Sequence, residues 1–511
     1  MNFYFRSIFS GFLVLAVSHL MSTAQAKEPN IIFILADDMG YDSVSALNPE
    51  LGFETPHIDK MISEGMSFSD AHSGSAVCTP TRYGVLTGRY SWRSRLKRGI
   101  VGQYEHQLID SARLTVGDML KERGYDTACI GKWHLGFQWY DKGGDPTRDR
   151  KIVDFSRSTT GGPIDQGFDY YFGDDVPNWP PYVWFENAKT LGIPSLPKPK
   201  EMYGSPGVMM PGWTLEEVLP EITRRSVKYI TEQAKSDKPF FLYFPMTSPH
   251  TPIAPSVDFR GKSGLGEYVD FVVETDWCVG EILRAVEESG ISEETLIVFT
   301  TDNGTSTKAS FADLETKGVQ LRHQFRGNKA DIFEGGHRVP FVAKWDGKIA
   351  AGSESDEVIC LTDFMATAAE VAGSELPENA AEDSVSLWPV LSGAGRGGLA
   401  NREAIINHSI DGSFAVRRGK WKLCFSHGSA GWSEPKESAA IKQGLPPMQL
   451  FNLERDLKEQ VNVHESHPEV VEELTLLLKN YIANGRSTPG KIQPNDAGEI
   501  WWAQLPWESG E

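Results

Sequence analysis

The chain has 511 residues, 40% hydrophobic and 23% charged, the composition of a globular protein of roughly two to four domains, which excludes a disordered or collagen-like polypeptide. Lys and Arg number 50 and Asp and Glu 69, for a net charge of −19. The overall field therefore disfavours nucleic acid or an anionic membrane surface as a partner, and an anionic substrate requires a local basic pocket.

Residues 1–26 carry one charge, Arg6, then an apolar run from Ile8 to Leu20, then Ala24-Gln25-Ala26. That order predicts a cleavable signal peptide and a secreted or periplasmic protein. No later stretch reaches the ~20 apolar residues of a membrane span. From Pro29 onward β-rich apolar runs alternate with amphipathic ones, the signature of an α/β fold in which helices sandwich a large mixed, mostly parallel sheet. Strands are expected at residues 31–36, 127–130, 240–244, 296–300 and 341–343, and helices at 115–123 and 267–289. Between about 141 and 212 the pattern dissolves into Gly, Pro and aromatics, which reads as long loops over one face of the sheet. After about residue 395 a hairpin turning at Arg418-Gly419 and an amphipathic helix over 467–484 predict a smaller α+β subdomain with an antiparallel sheet. The expected division is 1–26 leader, 27–395 main domain, 396–486 C-terminal subdomain and 487–511 irregular tail.

Two predicted strands end in hard oxygen donors: 31–36 runs into Asp37-Asp38, and 296–300 into Asp302-Asn303. Such residues either cap the following turn or, converging at the carboxyl edge of a parallel sheet, hold a cation, and an all-oxygen set suits Ca²⁺ or Mg²⁺ better than zinc. In Cys78-Thr79-Pro80-Thr81-Arg82, Pro80 favours the first turn of a helix, with Arg82 one turn beyond Cys78 on the same face. Cys78 is then either a buried structural thiol or part of an anion site formed by a helix end and a guanidinium. Lys132 and His134 in Gly131-Lys132-Trp133-His134-Leu135-Gly136 share a face of extended backbone beyond the 127–130 strand. His250 lies between Pro249 and Pro252 beyond another strand, and Lys329 precedes Glu334-Gly335-Gly336-His337-Arg338-Val339-Pro340. The five cysteines, Cys78, Cys129, Cys278, Cys360 and Cys424, are too sparse for a disulfide framework, and their odd number leaves one without an intramolecular partner.

The Cys78 and Gly131 segments closely resemble the two signatures of the formylglycine-dependent (type I) sulfatases of the alkaline phosphatase superfamily, and specifically secreted bacterial arylsulfatase A-like and glycan sulfatases. The resemblance extends from Asp37-Asp38 through Lys329 and the Glu334 run to the C-terminal hairpin, and makes 27–395 the catalytic domain. It implies that Cys78 is oxidised to formylglycine (3-oxoalanine) by a formylglycine-generating or sulfatase-maturating enzyme, which accounts for the leftover thiol. It implies one Ca²⁺ per chain, held by Asp37, Asp38, Asp302 and Asn303 with residue 78 completing the shell. By the same resemblance a hydroxyl of the aldehyde hydrate attacks sulfur, and the second hydroxyl loses its proton to His134 and expels sulfate. His250 and Lys329 stand at the leaving oxygen, Arg82 at the residue 78 hydroxyl and Lys132 at the sulfate oxygens.

For the substrate, Trp139, Tyr140, Trp179, Tyr182 and Trp184 are candidate platforms for sugar rings, and Arg322 and His323 candidate contacts to a neighbouring anionic group; loop packing and a solvated pair are the alternatives. The leading expectation is an exo-acting sulfatase of a sulfated carbohydrate or small sulfate ester. Two other readings remain: a phosphomonoesterase or phosphodiesterase of the same superfamily, and a sulfated-glycan-binding protein in which Cys78 stays a thiol.

Overall fold

The computed structural model of the chain describes Met1, residues 28–496 and Leu505. The predicted signal peptide beyond Met1, and the tail from 497 on save Leu505, lie outside the described residues.

A ten-stranded sheet forms the centre. In chain order its strands are β1 (Asn30–Ala36), β2 (Met66–Phe68), β3 (Asp126–Ile130), β4 (Tyr170–Gly173), β5 (Phe185–Glu186), β6 (Lys189–Thr190), β7 (Phe240–Pro245), β8 (Thr295–Thr301), β9 (Phe341–Lys344) and β10 (Ser353–Ser355). Their order across the sheet is β10-β2-β9-β8-β1-β7-β3-β4-β5-β6. The middle five, from β8 to β4, run parallel. Strand β9 pairs antiparallel with β8, which makes the sheet mixed.

Strand β1 is buried throughout, as a central parallel strand covered on both faces must be. Ile31, Phe33 and Leu35 enter one apolar core, and Ile32, Ile34 and Ala36 enter the other. Helices α1 (Pro56–Glu64), α4 (Val218–Gln233) and α5 (Glu267–Glu288) supply the second core. Helices α2 (Cys78–Thr87), α3 (Val116–Glu122) and α6 (Phe364–Val371) pack together on the first. Thr115 caps α3 by accepting the Asp118 N–H at 3.1 Å, with the Asp118 carboxylate accepting the Thr115 N–H in return.

The C-terminal part holds a four-stranded antiparallel sheet, β11 (Ile405–His408), β12 (Phe414–Arg418), β13 (Trp421–Cys424) and β14 (Gln449–Asn452), in that order. Helix α7 (Pro468–Asn484) packs on β12 and β13. Every strand and helix expected from the sequence is present, within one or two residues. The loop region read over 141–212 contains strands β4, β5 and β6, and α4 follows it where no helix was expected.

Candidate active site

The carboxyl ends of β1, β3, β7 and β8 converge, and each delivers polar residues to one spot, as open parallel sheets do. Asp37 and Asp38 follow β1, Lys132 and His134 follow β3, His250 lies five residues beyond β7, and Asp302 and Asn303 follow β8. Gly131 allows the chain to leave β3: its φ is +138°, and a Cβ there would lie 2.0 Å from the Pro245 carbonyl oxygen. Cys78 begins α2, which is buried on every side. The Thr79 hydroxyl at that end donates to the His134 carbonyl at 3.0 Å, which ties residue 78 to the His134 segment. Lys329 comes from the opposite side, its N–H donating to the Thr305 carbonyl at 3.0 Å.

Side-chain oxygens of Asp37, Asp38 and Asp302 lie within 4.8 Å of one another, as do ligand atoms of Asp37, Cys78 and His250. Asp37 Oδ2 accepts Lys132 Nζ at 2.5 Å and lies 3.4 Å from Arg82 Nη2. Asp38 Oδ1 accepts Lys329 Nζ at 2.6 Å and Asn303 Nδ2 at 2.8 Å. Asp302 takes Arg82 Nη2 on Oδ2 at 2.9 Å and the Asp38 N–H on Oδ1 at 3.1 Å. These pairs use one oxygen of each residue of the Asp37-Asp38 pair. Asp37 Oδ1, Asp38 Oδ2 and Asn303 Oδ1 are left buried without any hydrogen-bond partner among the described residues. Three orphaned oxygens from three of the four expected ligands are costly as they stand, and a hard cation satisfies all of them. The donor set therefore fits Ca²⁺ held by Asp37, Asp38, Asp302 and Asn303.

The charges follow from this crowding. Burial alone raises Asp37, but Lys132, His250, Arg82 and Lys329 outweigh it and hold the carboxyl well below its usual range. Asp302 is pushed up to about 7 by burial and by the Asp37 charge. Lys329 stays charged because Asp38 overcomes the cost of burying its ammonium. Burial raises the Cys78 thiol, so an unmodified Cys78 is a poor thiolate. His250 is lowered to about 4 by burial and by Lys329, and its Nδ1 bonds the Thr251 carbonyl. Burial and then Lys132 and Arg82 hold His134 well below its ordinary value, and neither ring nitrogen of His134 has a hydrogen-bond partner among the described residues.

Above these groups lies a cavity of about 210 Å³ lined by Asp38, Cys78, His134, His250 and Lys329, together with Asn178, Trp179, Tyr203, Lys308 and Trp432. Of the residues proposed for substrate, Trp179 is there, its ring edge-on to His134 at 5.3 Å. Trp139 is not: it is buried among Tyr104, Phe137, Phe155 and Phe185. Tyr182 is buried with its hydroxyl donated to the Ser205 carbonyl at 2.7 Å, and Trp184 stacks on Phe172. Tyr140 hydrogen-bonds Thr160 outside the cavity. Arg322 is paired with Glu315 at 2.8 Å, lies over the Phe311 ring and lines a different, narrow crevice; His323 lines neither space. Neither Arg322 nor His323 lines the cavity over residue 78.

Several residues in or beside the cavity are not among those the sequence reading singled out. Trp432 arrives from the C-terminal subdomain, its N–H donated to Asp331 Oδ1 at 2.7 Å just beyond Lys329. Asp174 and Asp175 follow β4 as Asp37 and Asp38 follow β1, and Asp175 Oδ1 accepts the His134 N–H at 3.1 Å. That repeated strand-then-Asp-Asp pattern was the available signal, hidden because 141–212 read as loops. A second group with metal-binding residue types, His72, Glu334 and His337, already contains the Lys422 ammonium, 3.0 Å from both Glu334 Oε1 and His337 Nε2. All five cysteines are buried and unbonded to one another.

The sulfatase family profile matches residues 29–374. The chain is 31% identical to an N-acetylgalactosamine-6-O-sulfatase of Bacteroides thetaiotaomicron, over 89% of this chain and 93% of that protein. It is 29% identical to human arylsulfatase A, over 89% of this chain and 88% of that protein. A solved structure from work on the metabolism of multiple glycosaminoglycans by Bacteroides thetaiotaomicron superposes with a TM-score of 0.77 at 30% identity, covering 89% of this chain and 99% of that one. The chain belongs to the sulfatase family and is a sulfuric ester hydrolase.

Proposed function

We propose that the protein removes sulfate from a sulfated carbohydrate, acting at a chain end, with formylglycine at position 78 and Ca²⁺ bound by Asp37, Asp38, Asp302 and Asn303. The observation that carries the reading is the set of partnerless buried oxygens on Asp37, Asp38 and Asn303 beside Cys78, under a cavity that also holds Lys329, His134 and His250. When present, Ca²⁺ supplies positive charge beside the sulfate, and the aldehyde hydrate of formylglycine supplies the nucleophilic hydroxyl.

The chain's own residues do the rest. Lys132 and Lys329 attract the sulfate oxygens, and their Asp37 and Asp38 partners fix where the ammonium groups sit. Arg82 spans Asp37 and Asp302 and holds the two strand ends at one separation. His134, neutral and with free ring nitrogens, takes a proton from the hydroxyl of residue 78. In neutral His250 with Nδ1–H bonded to Thr251, Nε2 carries a lone pair, so the donor at the leaving oxygen is Lys329. The relatives named as acting on N-acetylgalactosamine 6-sulfate make a hexosamine 6-sulfate the first substrate to test.

The deciding experiment joins two measurements on protein from its native host. The tryptic peptide carrying residue 78 should have the mass of the aldehyde, and Cys78→Ala should abolish sulfate release from every ester tested. A peptide wholly in the thiol form in an active protein overturns the mechanism.

A further inference from the structure

The cavity above residue 78 adjoins a second, larger cleft. It shares Tyr203, Thr251 and Lys308 with a neighbouring cleft of about 750 Å³, into which Trp213, Pro252 and Ile253 also project. We propose that Lys308, at this junction, recognises a second anionic group, a carboxylate or a sulfate, on the sugar unit next to the one that carries the scissile ester. The inference rests on the sulfatase reading of the catalytic cavity and extends it.

Three observations support it. First, Lys308 is exposed, and among the described residues its ammonium makes no ion pair or hydrogen bond. The other cations nearby are neutralised: Arg260, in the same cleft, pairs with Glu216 at 3.2 Å, Lys317 with Asp313 at 2.8 Å, and Arg322 with Glu315 at 2.8 Å. The cleft is also lined by Glu201, Glu216 and Glu267, and Glu216 and Glu267 face Arg260 at 3.2 and 3.9 Å, so of its two lining cations Lys308 is the one left to meet an anion.

Second, its backbone is anchored to the catalytic groups. The Ser306 side chain accepts the Lys308 N–H at 3.3 Å, the Ser306 carbonyl accepts the Ala309 N–H at 3.0 Å, and Ser306 and Ala309 are buried. The same turn begins at Asp302 and Asn303, and its Thr305 binds both Gly40 beside the Asp37-Asp38 pair and Lys329. The spacing from the sulfate position to the base of the Lys308 stem is therefore set by one rigid turn, while the stem adapts to the anion. Third, Tyr203 is half exposed and lines both spaces, an aromatic face where a sugar ring crosses from one to the other.

The test is calorimetric binding to Cys78→Ala protein with and without Lys308→Ala. The probes are three disaccharides of N-acetylgalactosamine 6-sulfate: one with a neighbouring uronic acid, its carboxyl-reduced counterpart, and a disulfated one without carboxylate. Lys308→Ala should raise Kd about three- to fivefold for one or both dianionic probes and change it less than twofold for the carboxyl-reduced probe. Lys308→Arg should restore the lost affinity. Loss confined to one dianionic probe identifies the group as carboxylate or sulfate. Equal effects on all three probes, or none on any, overturn the inference. Sulfate release by protein from the native host with position 78 unmutated is read separately. No release alongside a Lys308-dependent Kd would sink the sulfatase mechanism and leave the anion site standing.

Discussion

His134 has φ +53°, an uncommon backbone state for a residue with a side chain, and its N–H is held by Asp175. Its imidazole is buried with no hydrogen-bond partner for either nitrogen among the described residues, which leaves both free to meet a reacting group. His134→Ala should lower kcat by about 10²–10⁴ with a much smaller change in KM, measured on a small activated sulfate ester. The oxygen set offers a test independent of turnover. Ca²⁺ at 100 times its Kd should stabilise the fold by about 2.7 kcal/mol, read as a rise in Tm that chelation reverses. Asp302→Asn should largely remove that response, because it deletes one of the negative charges of the proposed cation site and weakens the pairing with Arg82 that positions it. The residue types at 37, 38, 78, 82, 132, 134, 250, 302, 303 and 329 were legible from the sequence because each sits in a short motif next to a strand end or turn. Their pairing was not: which oxygen of Asp37 meets Lys132 and which stays free depends on contacts between residues up to hundreds of positions apart.

At the scale of elements, α5 shows how a helix stores charge against a sheet. It is 22 residues long, and its buried side carries Asp270, Glu274 and Asp276 among Val and Ile. Glu274 Oε2 accepts the Ser256 N–H at 2.8 Å, Oε1 has no partner, and burial raises the carboxyl to about 7 from an ordinary 4.5. Its folded value exceeds its unfolded one, so the stability from keeping this proton is complete below pH 4.5 and is lost as pH rises through 7. Glu274→Gln, neutral and nearly isosteric, should therefore gain about 2–3 kcal/mol over the parent at pH 8 and little at pH 4.5, measured from urea midpoints. Helix α5 was readable because its apolar period runs over many residues. Helix α4 was not: it has no side-chain N-cap and carries Pro220 in its first turn, and its helical state is held by packing on α5. Strand β4, four residues long and rich in aromatics, owes its identity to pairing with β3. The antiparallel direction of β9 is likewise set by its neighbour, since a short buried strand reads the same in either direction.

For the whole molecule, the C-terminal sheet is joined to the main domain through a buried ionic network. Lys422 on β13 reaches Glu334 at 3.0 Å and Glu459 at 2.8 Å, and Arg338 pairs with Glu334 at 2.7 Å and Asp70 at 2.5 Å. The same neighbourhood leads through Asp331 to Trp432 and Lys329, so the subdomain helps to shape the cavity. Lys422→Ala should cost about 3–5 kcal/mol in chemical denaturation, because it leaves Glu334 and Glu459 buried without their shared cation. The sequence by itself determined the fold class and the family: a continuous apolar β1 and short motifs at strand ends are local features, and they carry both. Only the tertiary structure decided which aromatics and cations border the cavity over residue 78. Trp139 and Arg322 have the residue types of substrate contacts, yet one fills the core and the other pairs with Glu315, while Lys308 and Trp432 are brought to the cavity by a turn and a subdomain whose positions are fixed by long-range packing.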